Sequence, residues 1–375
     1  MSTPVIDTGR GAIYVVTTSK QPDGSIIHQL WMLDIVTGDN MRDPTTISGR
    51  SGGAIFASQK QLQRSALLLS QNKLYVAFAS YGDSQPYNGW VFSFDASTLA
   101  LFKTFCTTPG HNGLGGIWQA GQGLAADDQG NVYFMTGNGD FGPSQGNFGD
   151  SVLKLDPDLN RLGFFSPHNN AELNDNDLDL GSGGILAIPG TNLILGGGKE
   201  ARLYLMDMAK LGDFDPHVDH VLDVFPCSAT DGKHHIHGSP VFWSGPDGPR
   251  IYVWTENDAC KAFQFLGNSF NHNPVAQSTV PVPSGMPGGF LTISANGGQD
   301  GILWASHPWA DDLNQRIGEG VLRAFDARML RELWNSRNNR TRDDFGNFAK
   351  FCPPTVANGS VYMATMGGAI AQSDT

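Results

Sequence analysis

The sequence lacks the features that mark membrane-spanning and nucleic-acid-binding proteins. No apolar run reaches the ~18 residues that a helix needs to cross a bilayer. No run of Lys and Arg is longer than a pair, and the 375 residues carry a formal net charge of −12. Because binding to nucleic-acid phosphates requires a basic surface, we expect no nucleic-acid partner. Because no apolar run is long enough, we also expect no membrane span. The first residues also lack the basic segment and apolar core typical of a signal peptide.

Cysteine is scarce and dispersed. Cys106, Cys227, Cys260 and Cys352 form no CxxC, no CxxCH and no adjacent pair. These absences exclude a cysteine zinc site and covalently attached c-type haem.

A steady internal repeat is present instead. Seven short runs alternate apolar residues around a central aromatic or aliphatic residue, and these central residues are Tyr14, Tyr75, Tyr133, Ile194, Tyr252, Trp304 and Tyr362. Subtraction gives steps of 61, 58, 61, 58, 52 and 58 residues. A second apolar run precedes each centre, and a third follows most of them. Such a period indicates a repeat architecture.

Short strands separated by Gly, Asn and Asp turns, repeated seven times without a helical period, favour radially arranged four-stranded sheets. We therefore predict an all-β fold, a β-propeller of four-stranded antiparallel blades, with seven blades visible in one domain spanning 1–375. The predicted blades are 2–48, 62–105, 119–165, 180–225, 236–270, 286–336 and 350–371. An Asp recurs at the end of the third strand and is interpreted as a turn cap, at Asp34, Asp95, Asp156, Asp207 and Asp326.

The third strand and its turn carry a family resemblance. "AFDARMLRELW", from Ala324 to Trp334, resembles the Ala-x-Asp…Trp repeat of quinoprotein-type propellers, the superfamily of the PQQ-dependent alcohol dehydrogenases. Other copies are degenerate, with Arg42 and Lys103 in place of the Trp.

Longer stretches resemble a bacterial group of PQQ-like repeat proteins of unassigned activity, over almost the whole chain. They include "GGIWQAGQGLAADDQGNVYFMTGNG", "GGGKEARLYLMD" and "HIHGSPVFW". The resemblance implies a propeller fold and an extracytoplasmic, periplasmic or secreted origin.

The same resemblance implies what a quinoprotein site would contain. A PQQ dehydrogenase would have a disulfide between adjacent cysteines, a Ca²⁺ held by Glu, Asn and Asp, and a catalytic Asp. This sequence has no Cys-Cys pair, so PQQ with Ca²⁺ is possible but lacks that support. Glu256, Asn257 and Asp258 are the right residue types, but three consecutive residues at a strand end cannot all point at one ion.

The strand topology predicts which face of the ring carries the candidate functional residues. In a four-stranded meander, the loops entering the innermost strand and those between the second and third strands share one face. That face collects most charged and aromatic loop residues, whereas the opposite turns are short and built from turn formers. The predicted ligand-binding residues at the channel mouth on this face are Arg64, Trp118, Gln119, Lys199, Glu200, Glu256, Asn257, His307 and Lys350.

The stretch "DGKHHIHGSP" has three histidines just before a predicted innermost strand. His235 and His237 are two residues apart and would point the same way on an extended chain, while His234 would face away. The pair can bind a metal, act as acid and base, or simply hydrogen-bond neighbouring loops. For a metal we expect the third ligand from another loop, with Asp258 and His307 the first candidates.

The acidic run "NDNDLDLG" offers carboxylates at alternate positions, at Asp175, Asp177 and Asp179. Alternating carboxylates suit hard cations such as Ca²⁺, but an EF-hand would need a Glu where Leu186 stands. The alternative is a solvated acidic turn.

Two functions are compatible with these observations. The first is a binding propeller that holds a small molecule, a glycan or a protein segment at the channel mouth. The second is a quinoprotein-like oxidoreductase that depends on PQQ or a metal. We also expect that a parent ring of eight blades has lost one, because Met1 begins at an innermost strand and the last repeat ends without its outermost strand.

Overall fold

The protein was analysed as a computed structural model that describes residues 3–110 and 113–373, so Ser2, where the first predicted blade begins, lies outside the described residues. The chain divides into two compact units. Unit 1 comprises Met1–Ile185 and Met208–His220, and unit 2 comprises Leu186–Asp207 and Val221–Thr375.

Unit 1 contains three large antiparallel sheets. The first has the order β1-β2-β3-β4, the second β11-β10-β9-β7 with β8 also paired to β9, and the third β12-β13-β16-β17; β5-β6 and β14-β15 are small two-stranded sheets. The strands are β1 Val5–Asp7, β2 Ala12–Lys20, β3 Ile26–Asp34, β4 Thr45–Thr46, β5 Arg50–Ser51, β6 Ala54–Ile55, β7 Gln61–Leu62, β8 Leu68–Ser70, β9 Lys73–Ser80, β10 Trp90–Asp95, β11 Leu101–Cys106, β12 Ala125–Ala126, β13 Val132–Met135, β14 Phe141–Gly142, β15 Asn147–Phe148, β16 Val152–Leu155 and β17 Arg161–Phe165. Helix α1 spans Asn170–Asp175, and short 3₁₀ helices span Ser58–Lys60, Pro143–Gln145 and Leu180–Ser182.

Unit 2 contains three four-stranded meanders and one three-stranded sheet. Their orders are β18-β19-β20-β21, β22-β23-β24-β25, β26-β27-β28-β29 and β30-β31-β32. The strands are β18 Leu186–Ala187, β19 Leu193–Gly196, β20 Arg202–Asp207, β21 Asp223–Pro226, β22 Val241–Gly245, β23 Gly248–Val253, β24 Ala259–Gln264, β25 Ala276–Pro281, β26 Phe290–Asn296, β27 Gln299–Pro308, β28 Gly320–Asp326, β29 Glu332–Asn335, β30 Thr355–Ala357, β31 Ser360–Thr365 and β32 Gly368–Ser373. Helix α2 spans Arg340–Asp343.

The sequence repeat corresponds to these sheets. Each of the seven predicted central residues lies in the second strand of a sheet, in β2, β9, β13, β19, β23, β27 and β31. The alternation in β2 buries Ala12, Tyr14 and Val16, while the residues between them are half-buried. Strand β9 is buried on both faces because Leu74, Val76 and Phe78 pack into one apolar cluster and Tyr75 and Ala77 pack into another. The period therefore predicts the sheets and their central strands correctly.

The recurrent Asp has the predicted capping role. Oδ1 of Asp34 accepts hydrogen bonds from the N–H groups of Val36 and Thr37, both at 2.9 Å. Oδ1 of Asp326 accepts equivalent bonds from Arg328 and Met329, at 2.8 and 3.2 Å. Among the described residues, no helix is long and apolar enough to cross a membrane.

Candidate metal centre

The histidine loop joins β21 to β22, and its buried isoleucine orients it. Ile236 is fully buried in the apolar core of unit 2. Its N–H donates to the carbonyl oxygen of Gly198 at 3.2 Å. Because neighbouring residues of an extended segment point in opposite directions, His235 and His237 both project away from that core. Their ring centroids are 5.7 Å apart.

Glu256 brings a carboxylate to these two rings from the loop after β23. The backbones of the two loops are joined directly, because the N–H of Glu256 donates to the carbonyl oxygen of His235 at 3.0 Å. Oε1 of Glu256 lies 3.0 Å from Nε2 of His237, and Oε2 lies 3.4 Å from Nδ1 of His235. Oε1 is buried.

The hydrogen bond at Nε2 of His235 determines which of its two ring nitrogens carries the proton. Nε2 lies 3.0 Å from the carbonyl oxygen of Gly232, which can only accept, so Nε2 carries the proton. In the neutral ring, Nδ1 then presents its lone pair toward Glu256. A ligating histidine characteristically donates its other N–H to a carbonyl in this way. Two acceptors that face each other need a proton or a metal ion between them.

Burial disfavours the charged form of both partners. It raises the pKa of Glu256 to about 7, although the charges of His235 and Lys199 act in the opposite direction. It also lowers the pKa of His235, against the attraction of Glu256. A protonated Glu256 can donate to the neutral imidazole, whereas a divalent cation would favour the ionised carboxylate and the neutral imidazole together.

The spacing of the three groups suits a small metal ion. Ligand atoms of His235, His237 and Glu256 all lie within 4.8 Å of one another. Tetrahedral ligands placed 2.0–2.1 Å from a zinc ion are about 3.4 Å apart, close to the contacts that Glu256 makes with each ring, whereas the 4.8 Å limit for all three atoms would require the rings to move closer. Within residues 3–110 and 113–373, this is the only group of three or more His, Cys, Asp or Glu with such spacing.

One side of the cluster is open. The side chain of His235 is 23% exposed, whereas those of His237 and Glu256 are 4% and 6% exposed. Phe351 covers the His237 side, with ring centroids 6.1 Å apart. Three protein ligands with an accessible fourth position are typical of a catalytic metal site and not of a closed structural one.

The expected third ligands have other partners, and Glu256 takes their place. Asp258 Oδ2 lies 2.5 Å from Lys261 Nζ and accepts a hydrogen bond from Ser228. The fully buried His307 donates from Nδ1 to the Pro308 carbonyl at 2.6 Å and accepts from Arg323 Nε at 2.8 Å. These neighbours use both nitrogens of His307, and the carboxylate that lies beside the histidine pair is that of Glu256 and not that of Asp258.

Three other predicted binding residues of unit 2, Lys199, Glu200 and Lys350, each have different partners. Lys199 lies close enough to affect the pKa of both His235 and Glu256. Glu200 instead accepts a hydrogen bond from Tyr204 at 3.2 Å. Lys350 donates to the Leu313 carbonyl at 2.6 Å.

In unit 1 the structure brings two of the three predicted residues together. The guanidinium of Arg64 lies over the indole of Trp118, 5.0 Å from its centroid. Burial lowers the pKa of Arg64 to about 10, against the attraction of nearby Asp179 and Asp83. Gln119 has a structural role, because its amide bonds the N–H of Met135 at 2.8 Å and the carbonyl of Gly123 at 2.7 Å.

The acidic run does not assemble into a metal site. Asp175 ends helix α1. Asp177 and Asp179 both bond Asn138, at 2.9 Å through its side-chain amide and at 2.8 Å through its backbone N–H. These carboxylates hold a loop of unit 1. Asp175 and Asp177 are exposed, as a solvated acidic turn predicts, whereas Asp179 is buried.

Sequence comparison finds no matching family model and no match among curated proteins. The repeated four-stranded antiparallel sheets are those expected of a β-propeller and are similar in fold to solved quinoprotein dehydrogenases. A quinohemoprotein alcohol dehydrogenase from Pseudomonas putida HK5 matches 94% of this chain and 60% of its own length, with 13% identity and a TM-score of 0.57. A quinohemoprotein alcohol dehydrogenase from Comamonas testosteroni matches 96% and 62%, with 14% identity and a TM-score of 0.52.

The chain thus spans less than two thirds of the length of these two dehydrogenases. At 13–14% identity, the likeness concerns the fold alone.

Proposed function

We propose that this protein is a metal-dependent oxidoreductase whose metal is held by His235, His237 and Glu256. The observation that carries the proposal is the convergence of three ligand atoms within 4.8 Å, from two loops, with one exposed side. The fold likeness to dehydrogenases supports redox chemistry as its use. An extracytoplasmic location, implied by the family resemblance, is part of the proposal.

The donor set favours a transition ion. Two imidazoles and one carboxylate suit zinc, iron or copper, and a 2-His-1-carboxylate set with open positions is typical of non-haem iron oxygenases. Such an ion would supply Lewis-acid or redox chemistry at its open position. In this chain, Glu256 would balance one charge of the ion, and the Gly232 carbonyl would fix the tautomer of His235.

Calcium with PQQ does not fit these residues. Calcium prefers six to eight oxygen ligands, and the Glu256–Asn257–Asp258 run cannot supply them because the three side chains diverge. Glu256 faces the histidines, Asn257 bonds Lys233 and Gly285, and Asp258 bonds Lys261. All four cysteines are free, so no disulfide is present to cover a quinone.

Metal titration tests the proposal. After removal of metals with a chelator, we expect the protein to bind about one Zn²⁺ or Co²⁺ per chain, with Ca²⁺ failing to compete. His237→Gln should weaken Zn²⁺ binding more than about 100-fold, because it removes a ligand. His234→Gln is the matched control, since His234 lies in the same loop but bonds Asp231. Wild-type binding below a tenth of an equivalent would overturn the metal site.

A turnover assay separates the two functions. Protein loaded with Fe²⁺, Cu²⁺ or Zn²⁺ is offered primary alcohols and a dye electron acceptor, with and without PQQ. We expect metal-dependent dye reduction that His237→Gln abolishes and PQQ does not increase. Metal binding without turnover on any tested substrate would instead favour the binding propeller.

A further inference from the structure

Asn257 follows the proposed ligand Glu256 directly and has an unusual backbone conformation. Its φ is +56°, in the left-handed region that Asn tolerates better than most residues. This conformation turns the chain sharply after Glu256. The Asn257 side chain therefore points away from the metal cluster, toward two neighbouring loops.

The Asn257 amide joins both of these loops. Its Nδ2 donates to the carbonyl oxygen of Lys233, in the histidine loop. Its Oδ1 accepts a hydrogen bond from the N–H of Gly285 at 3.0 Å. One side chain thus connects the loop that carries Glu256, the loop that carries the histidines, and the glycine-rich segment 285–289.

The third segment packs tightly beneath Glu256. The N–H of Gly289 donates to the carbonyl of Trp254 at 3.1 Å. A Cβ on Gly288 would lie 3.0 Å from the Glu256 nitrogen and 3.0 Å from the Trp254 oxygen, so only glycine allows this approach. The glycine-rich segment is therefore a fixed support against which Asn257 can hold the histidine loop.

We propose that Asn257 is a positioning residue for the metal, setting the distance between the histidine pair and Glu256. The backbone bond from Glu256 to His235 and the bond from Ser228 to Asp258 also join these two loops. The Asn257–Lys233 bond adds a connection two residues before His235 and attaches the histidine loop to the residue next to Glu256. The inference rests on the proposed metal site.

The expected effect is a loss of metal affinity without loss of the fold. Replacing residues that orient metal ligands typically costs about 10–100-fold in affinity. Asn257→Gly keeps the left-handed backbone and removes both side-chain bonds. Asn257→Asp keeps the acceptor for Gly285 but replaces the donor to Lys233 with a repelling oxygen. We expect both variants to bind Zn²⁺ about 10–100-fold more weakly.

The matched control is Asn72→Gly in unit 1. Asn72 is also left-handed, with φ +64°, and its Nδ2 donates to Asp95 at 3.1 Å. Zn²⁺ affinity is measured by competition with a chromophoric chelator, and the visible spectrum of the Co²⁺ form reports ligand geometry. We expect Asn72→Gly to keep the wild-type affinity and spectrum, whereas the Asn257 variants change both. Near-ultraviolet circular dichroism checks folding, and if Asn257→Gly fails to fold, Asn257→Asp decides.

Two results separate failure of this inference from failure of the proposed function. Absence of metal binding by the wild type would refute the metal site itself. Wild-type binding with Zn²⁺ affinities within about twofold in both folded Asn257 variants, and an unchanged Co²⁺ spectrum, would refute only the positioning role.

Discussion

Two histidines of unit 2 have opposite surroundings. Both nitrogens of His307 are used by neighbours, the Pro308 carbonyl and the Arg323 guanidinium, so this ring has no capacity left for a ligand. His235 uses only one nitrogen for a carbonyl and turns the other toward a carboxylate. The difference between a structural histidine and a candidate ligand therefore lies in the acceptors and donors around the ring.

The His307 environment predicts an acid-sensitive contribution to stability. Burial, with the Arg323 charge, lowers the pKa of His307 to about 3, below the 6.5 of an unperturbed histidine. The folded state thus binds fewer protons than the unfolded state, and the unfolding free energy falls as pH drops below about 6.5. At pH 5 the loss from this residue should be about 2 kcal/mol.

Urea unfolding at pH 7, 6 and 5 measures this effect. The fall in unfolding free energy from pH 7 to pH 5 should be about 2 kcal/mol smaller in His307→Gln than in the wild type. The exposed His220→Gln should behave like the wild type. Equal pH slopes in wild type and His307→Gln would contradict the assignment.

At the scale of elements, the sheets within each unit are joined by the recurrent tyrosine. Tyr14 donates its hydroxyl hydrogen to the carbonyl of Ala96 at 2.7 Å, and Tyr252 donates to that of Ala327 at 2.7 Å. Each acceptor directly follows an Asp that ends the third strand of a neighbouring sheet. The tyrosine and the Asp thus recur with one period because they meet at the same contact between neighbouring sheets.

Removing one such hydrogen bond between sheets should lower the unfolding free energy measurably. Tyr252→Phe leaves the Ala327 carbonyl without its buried donor, so we expect about 1–3 kcal/mol lower unfolding free energy. Tyr81→Phe is the control, because Tyr81 is 65% exposed. Chemical denaturation of the three proteins at pH 7 gives the comparison. A Tyr252→Phe variant as stable as Tyr81→Phe would show that the bond contributes nothing.

At the scale of the molecule, a shared fold and a distinct site coexist. The chain has the fold of two quinohemoprotein alcohol dehydrogenases, yet its best candidate site is rich in nitrogen ligands. Loops on a rigid β-scaffold can change their side chains without disturbing the sheets that carry them. The number of blades, the closure of the ring and the loss of an eighth blade stay predictions.

Metal loading should stabilise the whole protein by mass action. An ion that binds only the folded state adds about 2.7 kcal/mol when its free concentration is about 100 times its Kd. We expect Zn²⁺ to raise the melting temperature in calorimetry and a chelator to reverse the change. His237→Gln should show neither effect. A Zn²⁺-induced increase of the same size in that variant would place the ion elsewhere.

The sequence by itself determined the repeat, the central strands and the capping Asp, because these depend on local alternation and turn chemistry. It also determined that His235 and His237 point the same way while His234 does not, since direction along an extended segment alternates. Only the tertiary structure decided that Glu256 is their partner. The sequence favoured Asp258, two residues further on, but the bond from the Glu256 nitrogen to the His235 carbonyl, at 3.0 Å, brings Glu256 to the rings instead. Contacts between loops far apart in sequence depend on packing, which no local pattern encodes.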